Sequence, residues 1–331
     1  MISVIITVFE QAASLEMLLY CLRAQYIGDP IEIIICDDGS SSQLLSSLST
    51  NKDLSSMDIR YIWQSRNGHR ASRSKNNGIR CAKGDILVFL DGDILVKPTF
   101  LSEHRAAHRH SKQIVCNPRR WVGGVQAVVG RRPCPDNHSL LDQFLSLAKN
   151  DIASLFILMD KISINGEENQ QKLFCSVNSW MACIGFSFSI DKTSDLWFDE
   201  HFKGWGPEDR ELVLRMVRRH NYSVIFREDI EVFHLEACST GREPFSLPRS
   251  PSDIAAFLSN MIYFRSLYPD EDLSALMNML ILYRLNPISN CWELAPLCKH
   301  CDQVSASELA AQVECIEMWL RGHPTLGQDV I

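Results

Sequence analysis

Three acidic clusters in this 331-residue chain carry side chains that could bind a metal ion and accept a proton. The first is Asp91-Gly92-Asp93, in which one residue separates two carboxylates. Like charges this close are costly unless a cation lies beside them, and hard oxygen ligands suit Mg²⁺ or Mn²⁺. Such an ion could bind a diphosphate and neutralise its charge as it leaves. Because an Asp-x-Asp pair is also common in turns, a plain turn is the alternative interpretation.

The second cluster is Asp37-Asp38-Gly39-Ser40, which is a turn pattern when it is considered alone. It follows directly on an apolar run, so a carboxylate here could accept a hydrogen bond from a uracil N–H or from ribose hydroxyls. Residues 7–10, after the first apolar run, could form the other wall of such a base pocket.

The third cluster runs from Gly204 to Leu212. Its two glycines allow a tight loop that approaches other groups closely. Trp205 offers an apolar face suited to the C–H face of a sugar ring. Glu208 and Asp209 then open a predicted helix, where the N-terminal dipole stabilises carboxylates. A simple helix start would explain the acidic pair, but it would not explain the glycines and the tryptophan.

His234 follows two apolar runs near the end of the same region. A single histidine after a strand more often has a structural role. It could also supply a nitrogen ligand to the metal ion proposed beside Asp93.

The elements that must position these clusters follow from the hydrophobic pattern. Four apolar runs predict buried strands, and two segments with helical spacing lie between them. The strands are predicted at residues 2–8, 31–36, 59–63 and 86–90, and the helices at 14–25 and 72–81. This alternation predicts a mostly parallel α/β sheet with helices on both faces. Ligands bind beyond the carboxyl ends of such strands, where the first two acidic clusters fall.

The chain is expected to divide near residue 245. Residues 1–116 would form a nucleotide-binding half and 117–245 an acceptor and catalytic half of one domain, with a Pro- and Arg-rich piece at 131–135 shaping the acceptor side. Residues 246–331 are expected to form a helical extension. Its helices are predicted at Ile254–Leu267, Asp272–Arg284 and Ser305–Leu320, the last opening with Ser305 and Glu308 in capping-box spacing.

Composition narrows the classes of partner. The chain is 46% hydrophobic and 22% charged, with a net charge of −7. This acidic balance argues against nucleic acid as the main partner, because phosphate backbones are held by clustered Lys and Arg. The sequence contains no apolar stretch of about 18 residues, so no membrane span is expected. The first residues resemble a strand more than a signal peptide. We therefore expect a cytoplasmic protein, with contact at the inner membrane surface as an open alternative.

The twelve cysteines are scattered through predicted strands and helices, which favours reduced thiols over a disulfide set. Cys298 and Cys301 form a CxxC, with Cys291 nearby. A structural zinc site there is the alternative to helix-adjacent thiols, although a clear second pair of ligands is missing.

Taken in order, these clusters resemble the family 2 glycosyltransferases of GT-A fold over roughly residues 1–240. The motifs that carry the resemblance are Ser3–Thr7, Cys36–Ser40, Ser74–Ile79, Asp85–Asp93, Phe198–Glu200, Gly204–Leu212 and His234. The region around Gly204–Leu212 is most similar to chondroitin-polymerase-type and β-1,4-galactosyltransferase-type enzymes.

The resemblance implies a metal-dependent, inverting transfer of a hexose or N-acetylhexosamine from a UDP-sugar to an acceptor hydroxyl. The acceptor would be a bacterial polysaccharide or glycolipid. A protein or peptide acceptor and a non-catalytic nucleotide-sugar-binding module are the alternatives. A nucleotidyltransferase is disfavoured, because it would need a glycine-rich loop at residues 8–14, which contain no glycine.

The resemblance also implies roles for individual residues. Asp38 would contact uracil and Asp91 the ribose. Asp93 and His234 would bind Mn²⁺ or Mg²⁺. Asp209 would be the catalytic base, with Glu208 holding a sugar hydroxyl. The remaining donor-site residues would be Thr7, Phe9, Glu10, Asn76, Gly92 and Trp205.

The chain departs from the family pattern at three places. Phe9-Glu10 stands where Tyr-Asn is frequent, and Lys75 stands where Arg is common. Residues 182–187 lack the usual asparagine after glycine. These departures bear on the contacts to the base and the donor sugar, while the metal and base positions are kept.

Overall fold

The computed structural model describes residues 1–110, 112–122, 137–165, 187–189, 197–235, 250–271, 273, 277, 280–281, 283–294 and 305–323. Its centre is a seven-stranded sheet with the order β3-β2-β1-β4-β8-β6-β9. The strands are β1 (Ile2–Val8), β2 (Ile31–Asp37), β3 (Ile59–Trp63), β4 (Ile86–Asp91), β6 (Gln113–Cys116), β8 (Ser187–Ser189) and β9 (Ser223–Phe226).

The four strands predicted from the first 90 residues form the parallel part of this sheet. β1 lies between β2 and β4, and all three run in the same direction, as does β3 beside β2. These strands are rich in Val and Ile because both of their faces are covered. β8 is antiparallel to both of its neighbours, and β9 is parallel to β6. The prediction of a mostly parallel sheet is confirmed.

Helices cover both faces, also as predicted. Alternate residues of β1, such as Val4 and Ile6, join one apolar cluster with α1 (Ala12–Arg23), α4 (Phe100–Ala107), α5 (Asn137–Asn150) and α6 (Ile152–Asn165). Ile5 faces the opposite way and joins a second cluster with α3 (Ala71–Cys81) and α7 (Glu208–His220). A short helix, α2 (Ser42–Thr50), follows β2. α3 and α7 both carry candidate site residues, and their packing against the sheet therefore fixes where each helix begins.

A second, three-stranded sheet lies beside the end of β4. It consists of β5 (Ile94–Val96), β10 (Val232–Leu235) and β7 (Arg119–Val122), with β10 in the middle. β10 is antiparallel to β5, and His234 is opposite Ile94 in that pairing. This register places His234 opposite Ile94, the residue that follows Asp93.

The extension contains α8 (Pro251–Leu267) and α9 (Ala306–Gly322), which confirms two of the predicted helices. The capping box at Ser305 and Glu308 is formed as predicted. The helix predicted for 272–284 is wrong at its end, where Tyr283 begins a hairpin of β11 (Tyr283–Asn286) and β12 (Cys291–Leu294). Pro287 disfavours a helical conformation at Asn286, and Asn290, with φ +51°, adopts the left-handed conformation in the turn.

The extension packs against the rest of the chain through its own apolar cluster. Phe202 and Leu214 of the preceding region join Phe257, Met261 and other residues of α8, the hairpin and α9 in that cluster. Within the described residues, no helix combines the length and hydropathy that a membrane crossing requires. The boundary near 245, the pieces 131–135 and 182–186, and the Cys298–Cys301 pair lie outside the described residues. The domain division stays a prediction.

Candidate active site

Asp91 is the last residue of β4, and Gly92 and Asp93 form the turn to β5, at the carboxyl end of the parallel sheet. Thr7 is paired with Asp91 in the β1–β4 register, and its hydroxyl donates to Asp91 Oδ1 over 3.2 Å. The Gly92 N–H donates to the Thr7 carbonyl, and a Cβ on Gly92 would lie 3.1 Å from Gln11 Oε1. The turn is thus fixed tightly against the end of β1, and both carboxylates project from it.

Asp93 and His234 meet in the structure, as the sequence predicted. His234 Nε2 lies 3.6 Å from Asp93 Oδ1, and the Leu235 N–H donates to the Asp93 carbonyl. Gln11, which the sequence did not identify, donates from Nε2 to the other carboxylate oxygen of Asp93 over 2.9 Å.

These two residues fit a divalent cation. An oxygen and a nitrogen 3.6 Å apart can both contact an ion at about 2.1–2.2 Å from each atom. The described residues contain no group of three or more His, Cys, Asp or Glu that could hold a metal ion. An ion here would therefore need further ligands from phosphate groups and water, as is usual for Mg²⁺.

The Asp38 carboxylate lies at the end of β2 and is only 3% exposed. It accepts hydrogen bonds from Gln64 Nε2 over 2.6 Å and from the Arg70 N–H over 2.7 Å. Arg66 lies 3.3 Å from its second oxygen. Since Arg70 immediately precedes α3, Asp38 also anchors the start of that helix.

Phe9 and Glu10, predicted as the other wall of a base pocket, lie beside Arg66 and the loop that follows β2. The guanidinium of Arg66 stacks on the Phe9 ring, 3.7 Å from its centroid. Glu10 has a φ of +52° and its carboxylate accepts a hydrogen bond from the Ser41 N–H over 2.7 Å. Its own N–H donates to Ser40 Oγ. Glu10 therefore joins the β1 loop to the β2 loop, while Phe9, which is 38% exposed, remains accessible.

Glu208 and Asp209 open α7 and meet a buried lysine of α3. Lys75 Nζ lies 3.1 Å from Glu208 Oε1 and 2.5 Å from Asp209 Oδ1, and only 5% of its side chain is exposed. Its ammonium also lies over the Phe198 ring. The Asp209 side chain remains 20% exposed, so a bound molecule can reach it.

The charges in this cluster do not balance, because the carboxylates of Asp91, Glu208 and Asp209 act on one ammonium. Burial raises the pKa of Asp209 to about 7 against the opposing charge of Lys75, and Glu208 and Asp91 raise it as well. Burial alone would lower the pKa of Lys75, but Asp209, Glu208 and Asp91 outweigh it and raise that pKa. Asp209 thus becomes the carboxylate that can take up a proton near neutral pH.

Two predicted donor-site residues have partners within the protein. Asn76 is 2% exposed, and its amide pairs with both the N–H and the carbonyl of Phe198 and with Glu200. It anchors the segment before the Gly204 loop, and its contact with a donor stays a prediction. The ring of Trp205 packs edge-on against Phe257, 5.1 Å between centroids, and is partly buried by the extension.

Sequence reasoning missed the roles of Lys75, Gln11 and Arg66. Lys75 was noted only as a departure from an arginine, although a cation at that position is what the acidic pair requires. Gln11 and Arg66 lie in loops whose side-chain directions depend on tertiary packing, and the sequence held no signal for their partners.

A comparison with family models matches part of the chain. Residues 3–164 match the model of "Glycosyl transferase family 2". By this match, these residues are similar to a family 2 glycosyltransferase domain. The matched range contains β1 to β4 with the Asp38 pocket and the Asp91–Asp93 turn, so the resemblance inferred from the motifs is confirmed.

Several curated proteins are similar to the chain over a longer range. The hyaluronan synthase of Pasteurella multocida is 28% identical over 246 residues, which are 71% of this chain and 24% of that protein. The chondroitin synthase of Pasteurella multocida strain Pm70 is 27% identical over 65% of this chain and 23% of that protein. The validoxylamine A glucosyltransferase of Streptomyces hygroscopicus subsp. jinggangensis is 27% identical over 72% of this chain and 55% of that protein. The chain therefore spans between a quarter and about half of these relatives.

Solved structures confirm the GT-A fold. S. aureus TarS 1-349 in complex with UDP-GlcNAc superposes with a TM-score of 0.51 at 16% identity, covering 100% of this chain and 81% of that one. The same protein in complex with UDP gives a TM-score of 0.51 at 15% identity.

Proposed function

We propose that this glycosyltransferase transfers a hexose or N-acetylhexosamine from a UDP-sugar to an acceptor hydroxyl with inversion at the anomeric carbon. The observation that carries the proposal is the meeting of Asp209 with Asp91 and Lys75 at the carboxyl end of the sheet. This arrangement combines a proton acceptor with the predicted donor pocket in one site.

Asp209 is the proposed base. In a single in-line displacement the acceptor hydroxyl must lose its proton as it attacks, and a carboxylate within hydrogen-bond reach can take it. A pKa of about 7 places Asp209 near the value that suits this role at neutral pH. Lys75 keeps the carboxylate oriented, and Glu208 beside it is proposed to hold a sugar hydroxyl.

The donor pocket is proposed to lie between Asp38 and Phe9. Asp38 would accept the uracil N–H, Phe9 and Arg66 would cover the base, and Asp91 with Thr7 would contact the ribose. Glu10 and Gly92 would shape the pocket through their backbone positions, and Trp205 would face the donor sugar. The UDP and UDP-GlcNAc complexes of TarS, a protein of the same fold, support a uridine donor.

Asp93 and His234 are proposed to hold Mn²⁺ or Mg²⁺, with Gln11 orienting Asp93. When bound, the ion would neutralise the charge of the departing diphosphate.

The acceptor class is proposed from the relatives named as hyaluronan and chondroitin synthases, which favour a growing polysaccharide. The test is a screen of nucleotide sugars by UDP release, followed by an acceptor screen with the best donor and NMR of the product. We expect one UDP-sugar to dominate and the anomeric configuration to invert. Retention of configuration would contradict the direct displacement, and the absence of turnover with every donor would contradict the transferase activity.

A further inference from the structure

α8 of the extension carries a buried amide side chain among apolar ones. The helix buries Ile254, Phe257, Leu258, Met261 and other apolar side chains, yet Asn260 among them is only 3% exposed. Burying an amide without partners is costly. Asn260 Nδ2 donates to the Lys203 carbonyl over 2.8 Å and to the Trp205 carbonyl over 3.2 Å. Both acceptors lie in the loop that leads into α7.

The two loop glycines fit directly against this helix. Gly204 has a φ of +78°, and a Cβ on it would lie 2.6 Å from the Cβ of Ala256. A Cβ on Gly206 would overlap the amide of Asn260. The glycines that allow this tight loop are therefore needed, in the structure, for the contact with α8.

The other side of the same loop touches the donor half. The Gly204 N–H donates to the His69 carbonyl over 2.8 Å, and His69 directly precedes Arg70, which anchors Asp38. The loop thus lies between the proposed nucleotide pocket and the extension, and only one residue, Pro207, separates it from Glu208.

Further hydrogen bonds from the extension flank the loop. Tyr263 donates to Asp199 Oδ2 over 2.8 Å, before the loop. Tyr268 donates to Glu211 Oε1 over 2.7 Å, within the first turn of α7, and Glu211 also pairs with Arg215. The extension therefore holds both the entry to α7 and its first turn.

We propose that Asn260 is a positioning residue for transfer, which holds the Gly204–Gly206 loop so that Asp209 faces the acceptor. The extension then completes the catalytic site without contributing a group that touches substrate. This inference rests on the proposed role of Asp209 as base. It assigns the extension a function that the sequence left open.

The test compares Asn260→Leu, which keeps the branching of the side chain and removes its N–H donors, with Val313→Ala. Val313 lies in α9, 5% exposed in the same apolar cluster, and is remote in sequence from the loop, so its loss destabilises the extension without removing a loop contact. The two variants are compared under conditions in which they are equally destabilised, as judged by their melting temperatures. We then expect Asn260→Leu to lower kcat roughly 10–100-fold, because small misplacements of catalytic groups have effects of this size. We expect KM for the UDP-sugar to change less than about 2-fold in both variants, and kcat to stay near wild type in Val313→Ala.

A second readout separates this inference from the proposed function. Hydrogen exchange of the amides in residues 203–211 should accelerate in Asn260→Leu and not in Val313→Ala, whether or not a donor is known. Unchanged exchange, or equal kcat in the two variants, would overturn the positioning role. Accelerated exchange in a protein that turns over no donor would support the positioning of the loop and reject the transferase proposal. If Asn260→Leu does not fold, Gly206→Ala disturbs the same contact from the loop side and should give the same pair of changes.

Discussion

Lys75 of α3 and Asp209 of α7 form a buried ion pair, with Nζ 2.5 Å from Oδ1, although 133 residues separate them in the chain. Glu208 Oε1 lies 3.1 Å from the same nitrogen. The pair joins α3 to the proposed base on α7, so a change in the charge of one side chain should be measurable at the other.

Removing the basicity of Asp209 should abolish most of the turnover. Asp209→Asn keeps the shape of the side chain and cannot accept the acceptor proton, so we expect kcat to fall roughly 10²–10⁴-fold. Affinity for the UDP-sugar, measured by calorimetry, should stay close to wild type. Glu208→Gln is the matched control, and a dead Glu208→Gln beside a fully active Asp209→Asn would reverse the assignment.

Turnover should depend on pH in the direction that the Asp209 pKa sets. A base works only when deprotonated, so kcat should be lost as pH falls below about 7, the value to which burial raises this pKa. Because the ammonium of Lys75 opposes that rise, Lys75→Met should move the acid limb of the kcat profile to higher pH. Lys75→Arg keeps the charge and should leave the limb near its wild-type position. An unmoved limb in Lys75→Met would show that Asp209 is not the titrating group.

Metal removal tests the Asp93–His234 pair. We expect EDTA to abolish UDP release and added Mn²⁺ or Mg²⁺ to restore it, and we expect Asp93→Ala to lose activity while remaining folded by circular dichroism. Asp58→Ala, an exposed aspartate just before β3 at the opposite end of the sheet, is the control and should behave as wild type. Full turnover in EDTA would refute the metal requirement.

Base selectivity tests Asp38. Its carboxylate can accept the N–H of uracil, whereas cytosine would present another acceptor to a group that is 3% exposed. Losing one hydrogen bond to a charged group costs about 1.5–3 kcal/mol, so CDP should bind roughly 10–100-fold more weakly than UDP by calorimetry. Arg66→Ala removes both the contact to Asp38 and the stack on Phe9, and should weaken UDP binding more than Arg66→Lys does. Equal affinity for UDP and CDP would contradict the assignment.

Two neighbouring histidines at the end of α4, the buried His104 and the half-buried His108, predict acid sensitivity of the fold. His104 Nδ1 and His108 Nε2 each lie 2.6 Å from Ser187 Oγ. Burial lowers the pKa of His104 to about 3 and that of His108 to about 4 from an ordinary 6.5. The unfolded chain therefore binds protons that the folded chain excludes, so stability is full above pH 6.5 and declines as pH falls toward 4.

Thermal melts between pH 7 and pH 4 directly measure the slope of stability against pH. His108→Gln should flatten it, since glutamine does not titrate, while His110→Gln changes an exposed histidine and should leave it unchanged. Equal slopes in wild type and His108→Gln would rule out the buried pair as the source.

The sequence by itself determined the parallel core and the acidic clusters at its edge. Four apolar runs end at Val8, Cys36, Trp63 and Leu90, and the parallel direction of their strands carries those ends to one side. The positions of Asp38 and Asp91–Asp93 follow from that local pattern. The capping box at Ser305 was likewise readable, because it depends on residues only three apart.

Only the tertiary structure decided which charges meet and what the extension does. Asn76 turned inward to Phe198, Lys75 reached across to α7, and the start of the β11–β12 hairpin replaced a predicted helix end at Tyr283. Each outcome depends on a partner distant in sequence, which no local spacing specifies. The contact of Asn260 with the Gly204–Gly206 loop is of the same kind, because the closeness of two backbones is set by the packing of α8 against the core.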